Sequence, residues 1–428
     1  MPRAVYSLLA VAITRALFTA GLGGFFYDDQ KAIRDGAERD GELYRGAPRI
    51  GGFDAVRMPA RTIGIGFGIG AGRLAWGDAM SVQYAGAGGR DPALVPERHL
   101  PALRERFGPA MLGADVREFR AADAHARHLL DESGIAHAGI EYGVSQALLD
   151  AAAQARGLSM AEVLCEEYGL ELVPRRVPIY TQSGDNRRDS VDKMILKRAD
   201  VLPHALINAP AKFGDDGGVL LGYVAWVRDR ILGNGADGYR PALHLDLYGI
   251  PGRVLGTDPA TLASYLGRLG AAARPFALRV ESPVDYGSRD AQLAGLAALR
   301  AALDEGGSGV EVVADEWCDT LDDVRDFARE GAGHMLQIKV PDLGSLDNTM
   351  QALRACREHG TPGFLGGSCT ETDVSARVCV HVAVATQPPF QLAKPGMGVD
   401  EGLMIVRNEQ ERLLARLEDV ASGQKPSR

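Results

Sequence analysis

The sequence predicts an α/β fold: a (β/α)8-type barrel preceded by an α+β domain. Three observations point there. Beyond "LVPRRVPIYTQSGD" short apolar runs alternate with helical segments, the pattern of a parallel sheet with crossover helices. Before it, strand-like runs come first and helical ones follow, the order of an α+β unit. Three acidic residues fall at or near the ends of successive predicted strands, and in a parallel barrel those ends share one face. The boundaries follow the change of texture: 1–170 for the first domain, 171–416 for the barrel, and 417–428, ending "ASGQKPSR", as a disordered tail. A chain of 428 residues suits one barrel plus a second domain.

Near the start, "VYSLLAVAITRALFTAGLGG" has the look of a signal sequence, but Arg15 interrupts its apolar run and no small-residue cleavage site follows. It reads better as a first strand. "MPARTIGIGFGIGAGRLAWGDAM" reads as two strands around a glycine-rich turn. From Leu100 to Gly169 the pattern is helical. In "EYGVSQALLDAAAQARG", Val144, Ala147, Leu148 and Ala151 share one face and Gly157 is the expected C-cap. Barrel strands are expected at "VPIYTQS", "PALHLDLYG", "FALRVESP", "VEVVADEW", "HMLQIKVP" and "TPGFLGGS". One intervening helix runs from Ser288 to about Glu305 on the spacing of Leu293, Leu296, Leu299 and Leu303. Another starts at Thr320, where Thr320 and Asp323 fit a capping box.

Composition narrows the partners. Hydrophobic residues make up 46% and charged residues 24%, ordinary for a soluble globular protein. The net charge of −9, without any basic block, argues against a nucleic-acid partner. No stretch reaches the roughly 20 uninterrupted apolar residues that span a bilayer. Five cysteines, with no C-x-x-C spacing, fit a reducing cytoplasm better than a disulfide framework or a zinc site.

The chemistry lies at the strand ends. Asp246 ends "LHLDLYG", Glu281 ends "LRVESP" and Asp315 ends "VVADEW". Three converging carboxylates either raise one another's pKa values or hold a cation. An all-oxygen set with open positions suits Mg²⁺ or Mn²⁺. The duller alternative, each acid capping a helix or pairing with an arginine, weakens when the three sit at successive strand ends. The next strand, in "GHMLQIKVPDLG", carries Lys339 inward with Gln337 on the same face. Beside a divalent cation a desolvated lysine has a lowered pKa and serves as a base; its ordinary alternative is an ion pair with one of the acids. His204, in "VLPHALINAP", is a lone histidine of the kind that is more often structural. Gln182 ends another predicted strand. Ser368 and Cys369 lie in a glycine-rich loop that offers hydroxyl, thiol and backbone N–H donors to a carboxylate; no His–Cys order requires Cys369 as a nucleophile. A base and a divalent metal on one face are the parts needed to remove a proton beside a carboxylate.

The chain resembles the methylaspartate ammonia-lyases of the enolase superfamily. The resemblance runs from about Phe18 to Leu414. It is carried by "GFFYDDQKAI", "VQYAGAGGRDP", "QSGDNRRDSVDKMILKRADVLPHALIN", "LHLDLYG", "VESPVDYGSR", "ADEWCDT", "LQIKVPDLG", "GGSCTETDVSA" and "LAKPGMGVDEG". It implies an α+β capping domain, a modified (β/α)8 barrel, and reversible elimination of ammonia from L-threo-3-methylaspartate to mesaconate through a metal-stabilised enolate. It further implies Mg²⁺, a monovalent activator such as K⁺, and a cytoplasmic homodimer acting on a small amino-acid substrate. By position, Asp246, Glu281 and Asp315 would be the metal ligands and Lys339 the base for the C3 proton of the (2S,3S) substrate. His204 would serve the 3R epimer from the other side. Gln182, Gln337, Ser368 and Cys369 would hold the substrate's carboxylates and amine. Gln83, in "VQYAGAGGRDP", would belong to the loop that closes the site. Two features depart from the family pattern. Ser368 stands where the family has Thr, which leaves tolerance of a larger 3-alkyl group open, and a short extra segment precedes the usual first strand. The alternatives are another enolase-superfamily enzyme (a racemase, cycloisomerase or acid-sugar dehydratase) and a catalytically silent binding homologue. Many of those enzymes resemble each other in a Lys-x-Lys pair where this chain has Gln337-x-Lys339, which favours the ammonia-lyase. The direction of the reaction, toward glutamate breakdown or carbon assimilation, is left open.

Overall fold

The computed structural model describes residues 11–70, 72–397 and 399–422. The extra N-terminal segment falls on residues outside this range. Strands β1 (Ile13–Asp28), β4 (Arg57–Ile69) and β5 (Arg73–Ala79) form an antiparallel sheet in the order β1-β4-β5. Between β1 and β4 lies a small hairpin of β2 (Glu38–Asp40) and β3 (Leu43–Arg45). The "GIGFGIGAGR" stretch is thus two strands around a tight turn, as its pattern predicts. β1 contains residues 13–24 of the segment whose apolar look suggested a leader, its first residues lying outside the described range; β1 pairs along β4 from Ile13↔Ile69 to Asp28↔Arg57. As an edge strand it leaves Leu22 72% exposed while burying Ile13 and Tyr27.

The helix Ala138–Arg156 covers this sheet and ends at Gly157, whose φ of 67° makes the left-handed C-cap. Its approach to β5 depends on glycine. A Cβ on Gly77 would stand 2.1 Å from the Gly143 carbonyl oxygen, and one on Gly143 would stand 2.6 Å from the Ala79 nitrogen. Backbone therefore packs on backbone, and the helix buries nearly its whole apolar face, from Ile140 to Ala153.

Eight parallel strands close the barrel in chain order: β6 (Ile179–Tyr180), β7 (Val201–His204), β8 (Ala242–Asp246), β9 (Leu278–Glu281), β10 (Glu311–Ala314), β11 (Met335–Ile338), β12 (Gly363–Leu365) and β13 (Gln391–Leu392). Short extra helices at Pro210–Phe213, Ile250–Leu255 and Val340–Leu343 follow β7, β8 and β11. Two strands escape sequence reading. β7 contains Pro203, which marks a run as non-strand, and β13 is two residues long beside Pro388 and Pro389. The expected helices appear at Arg289–Glu305 and at Leu321–Glu330, the latter with a reciprocal Thr320–Asp323 capping box.

The expected disordered tail needs correction. The last helix runs Glu401–Ser422, so residues 417–422 are helical; 423–428 lie outside the described range. This helix is pinned to the start of the barrel by Gln410, whose amide accepts from Val177 N and donates to Val177 O, both at 3.0 Å. Among the described residues no helix is long and apolar enough to cross a membrane.

Candidate active site

The strand alternation delivers the three acids to one place. Asp246 and Glu281 are the last residues of β8 and β9 and are register partners; Asp315 follows the last residue of β10. One oxygen from each lies within 4.8 Å of the others, and the three residues are 2%, 1% and 3% exposed. Oxygen atoms on a Mg²⁺ octahedron stand about 3–4 Å apart, so small side-chain adjustments bring this all-oxygen set onto one hard cation. Electrostatics agree. Burial and the neighbouring acids push the carboxyls of Asp246 and Glu281 well above the usual range. Burial acts the same way on Asp315, but Lys339 and Arg90 outweigh it and hold that carboxyl below the range.

Lys339 lies one residue beyond β11, at the start of the Val340–Leu343 turn, and its Nζ is 2.7 Å from Asp315 Oδ2. Burial and Arg90 disfavour the ammonium. Asp315, Asp342 and Glu316 outweigh them, so its pKa stands above the usual lysine value. The lowered value expected from the sequence belongs to a lysine facing a cation; facing these carboxylates the sign reverses. His204, the last residue of β7, has Nε2 at 3.6 Å from Asp246 Oδ2 and 3.3 Å from Tyr248 Oη. Burial, with Lys339 adding to it, pulls its pKa down to about 3, so the imidazole is neutral. Three strands lie between β7 and β11 in either direction round the ring, so His204 and Lys339 face each other across the barrel mouth. His204, Ala205 and Leu206 all have positive φ (67°, 72° and 49°), a strained run of the kind that concentrates at functional sites.

The remaining expected residues line the same small cavity, about 40 Å³, with Lys339 and His204. Gln337 donates from Nε2 to Glu281 Oε1. Gln182 makes only long contacts, 3.4 and 3.5 Å, to the carbonyls of Ala393 and Gly396, which leaves its amide free to turn. Ser368 Oγ accepts from Gln83 N at 3.0 Å and from Thr370 Oγ1 at 2.9 Å. The Cys369 thiol donates to Gln83 Oε1 at 3.5 Å, and burial raises its pKa strongly, so it is a thiol rather than a thiolate nucleophile. Gln83 hangs from the small sheet. Its Nε2 donates to Asp28 Oδ2 at 2.8 Å, and Asp28 is clamped by Arg57 at 2.7 and 2.8 Å, directly opposite it in the β1–β4 register. The Arg57 guanidinium sits over Phe26 and Tyr44, 4.8 and 5.0 Å from the ring centres.

Sequence reasoning missed several participants. Arg90, in the "GGRDP" end of the loop after β5, has its side chain buried and reaches Asp342 at 2.8 Å, Asp319 at 3.1 Å and Asp315 at 3.3 Å. Its signal was present as an arginine inside a quoted motif, but its partners are too distant in the chain to be inferred. Tyr84, from the same loop, packs edge-on against Tyr248 and accepts from Asn208 at 3.0 Å. Behind the Ser368–Cys369 loop lies a buried pair. Lys394 Nζ donates to Glu371 Oε1 at 2.7 Å, which also accepts from Ser368 N at 3.0 Å, while Tyr142 of the covering helix donates to Oε2 at 2.8 Å. Gly367 (φ +145°) is required there, since its Cβ would meet Glu371 Oε1 at 2.2 Å.

A parallel barrel under a small α+β cap, with three acids on adjacent strand ends and an amine on the next, is the architecture of a barrel enzyme with a metal-competent acidic site. At 18% identity and a TM-score of 0.59, a muconate lactonizing enzyme from Pseudomonas fluorescens shares this fold. The chain matches "Methylaspartate ammonia-lyase N-terminus" over residues 11–169 and "Methylaspartate ammonia-lyase C-terminus" over 171–419. It is 46% identical to methylaspartate ammonia-lyase 2 of Carboxydothermus hydrogenoformans over 407 residues, 95% of this chain and 98% of that one. The crystal structure of the Citrobacter amalonaticus methylaspartate ammonia lyase, containing (2S,3S)-3-methylaspartic acid, superposes with a TM-score of 0.92 at 45% identity, covering 95% of this chain and all of that one. The Mg complex of β-methylaspartase from Clostridium tetanomorphum gives 0.88 at 43%, covering 95% and 99%. The chain belongs to the methylaspartate ammonia-lyase family, a family of carbon–nitrogen lyases.

Proposed function

We propose that the protein eliminates ammonia reversibly from L-threo-3-methylaspartate to give mesaconate. The observation that carries this reading is the Lys339 amine, 2.7 Å from Asp315 and beside the acidic triad, in a chain of this family. Asp246, Glu281 and Asp315 would hold Mg²⁺, which when bound supplies Lewis-acid stabilisation of charge on the substrate carboxylate next to C3. Lys339, after giving up its own proton, takes the C3 proton of the (2S,3S) substrate; ammonia then leaves from the neighbouring carbon. His204, neutral and on the opposite wall, does the same work for the 3R epimer. Gln182, Gln337, Ser368, Cys369 and Gln83 bind the carboxylates and the amine, and the closing loop excludes water. Gln337 supports this outcome over a racemase or cycloisomerase, because an amide bonded to Glu281 stands where those enzymes commonly place a second lysine.

The same reading takes residues 1–170 as the capping domain and 171–416 as the catalytic barrel, of a homodimer in the cytoplasm. It includes a monovalent cation such as K⁺ as activator. The test is the ultraviolet absorbance of the conjugated diacid product. Protein mixed with L-threo-3-methylaspartate, Mg²⁺ and K⁺ develops it, and omission of Mg²⁺ abolishes it. No absorbance growth with either 3-epimer would overturn the proposal.

A further inference from the structure

His244 has no part in the chemistry above, yet it is wholly buried directly beneath the acidic triad. It lies two residues before Asp246 on β8, so both side chains point into the barrel. Its Nε2 is 2.8 Å from Glu281 Oε2. Its ring stacks on Tyr180 at 4.4 Å and meets Phe364 and Phe390 edge-on at 5.5 and 5.6 Å. These aromatic rings belong to the apolar layer that fills the barrel below the site. Nδ1 has no hydrogen-bond partner, which fits a neutral ring carrying its single hydrogen on Nε2 and donating it to Glu281.

The other oxygen of Glu281 accepts from Gln337, so both are engaged from within the barrel. The carboxylate cannot swing without breaking one of these bonds or displacing the aromatic layer. Asp315, by contrast, is held by two cations, Lys339 and Arg90. Asp246 accepts from the Tyr248 backbone N–H at 3.2 Å, so Glu281 is the acid of the three whose two oxygens are both held by neutral side-chain donors.

We propose that His244 is a positioning residue for the metal site: it fixes the rotamer of Glu281 and anchors that ligand to the packed floor of the barrel. Groups that orient metal ligands in this way are commonly worth 10–100-fold in metal affinity, an estimate of about that size for this position. The inference rests on the reading of Glu281 as a Mg²⁺ ligand.

Calorimetric titration of the full-length protein with Mg²⁺ alone, without substrate, tests it. His244→Phe keeps the ring and its stacking but removes the donor; its Mg²⁺ dissociation constant rises by about 10–100-fold. His244→Gln, whose amide nitrogen reaches toward the Nε2 position, restores binding to within a few fold. In the absorbance assay the Phe variant needs more Mg²⁺ but recovers kcat once Mg²⁺ is saturating, which a general structural defect would not allow. Histidine ¹⁵N shifts of the unmutated protein show the hydrogen of His244 on Nε2, a readout independent of how the variants fold. Unchanged Mg²⁺ affinity in His244→Phe, or a hydrogen on Nδ1, overturns the inference and leaves Glu281 a ligand. Unmutated protein that takes up no Mg²⁺ overturns the ligand assignment itself, and this inference with it.

Discussion

Lys339 and Arg90 approach the same carboxylate from opposite sides: Nζ stands 2.7 Å from Asp315 Oδ2, and the Arg90 guanidinium stands 3.3 Å from Oδ1. One cation comes from the barrel and the other from the loop after β5. Asp315 is thereby the residue through which the amine, the triad and the loop after β5 are all connected.

Removing the base separates catalysis from metal binding. Lys339→Ala lowers turnover of the (2S,3S) substrate by about 10³-fold, the usual worth of a positioned general base. Mg²⁺ affinity is unchanged or tighter, because Asp315 loses a competing cation. Steady-state rates and a Mg²⁺ titration check both halves, and near-normal turnover would refute the assignment.

Asp315→Asn has the opposite signature. It removes one anionic oxygen ligand and weakens Mg²⁺ binding by at least about 100-fold, while the barrel still folds. Calorimetry on the purified variant reads this directly; full Mg²⁺ affinity would exclude Asp315 as a ligand.

Arg90→Met leaves three carboxylates at the junction of cap and barrel without their shared cation. Breaking a buried, multiply paired charge costs about 3–5 kcal/mol. The variant therefore melts at lower temperature, and its KM rises because the loop that bears Gln83 is no longer tied to Asp319 and Asp342. Differential scanning calorimetry and substrate saturation curves provide the check.

Glu409, on the last helix, predicts the acid limit of stability. Burial works against its ionisation, but His381 at 3.5 Å and Arg412 at 2.7 Å prevail and bring its pKa from 4.5 to about 2. Between those values the unfolded chain binds more protons than the folded one. The stabilisation is thus complete above pH 4.5 and is lost as pH falls toward 2. Glu409→Gln melts below the unmutated protein at neutral pH, and the two curves converge on acidification. A gap that stays constant down to about pH 3 would count against this role.

Much of the site was legible because it is built from residue types that strands rarely carry inward. Asp246 and Glu281 ended apolar runs, and Lys339 interrupted one, so alternation alone flagged them. The family resemblance then assigned roles that spacing left open, above all for His204, which by itself looks like any buried histidine. The failures have physical causes. Pro203 disguised β7, since a proline removes a ladder donor, yet the strand is held from both sides by β6 and β8. The tail composition suggested disorder, but Gln410 and the apolar face of Leu403, Val406 and Leu413 fix the last helix to the barrel. Arg90, His244 and Glu371 were invisible because their meaning lies in partners brought near only by folding. Each is an ordinary residue in sequence and a fully committed one in space.

The Arg57–Asp28–Gln83 relay means that the ceiling of the pocket is suspended from β-strands that supply no lining residue of their own. The shape of the pocket is then heritable through positions that do not line it. A substitution at Arg57 would release Asp28 and with it the Gln83 side chain, reshaping the pocket without replacing any residue that lines it.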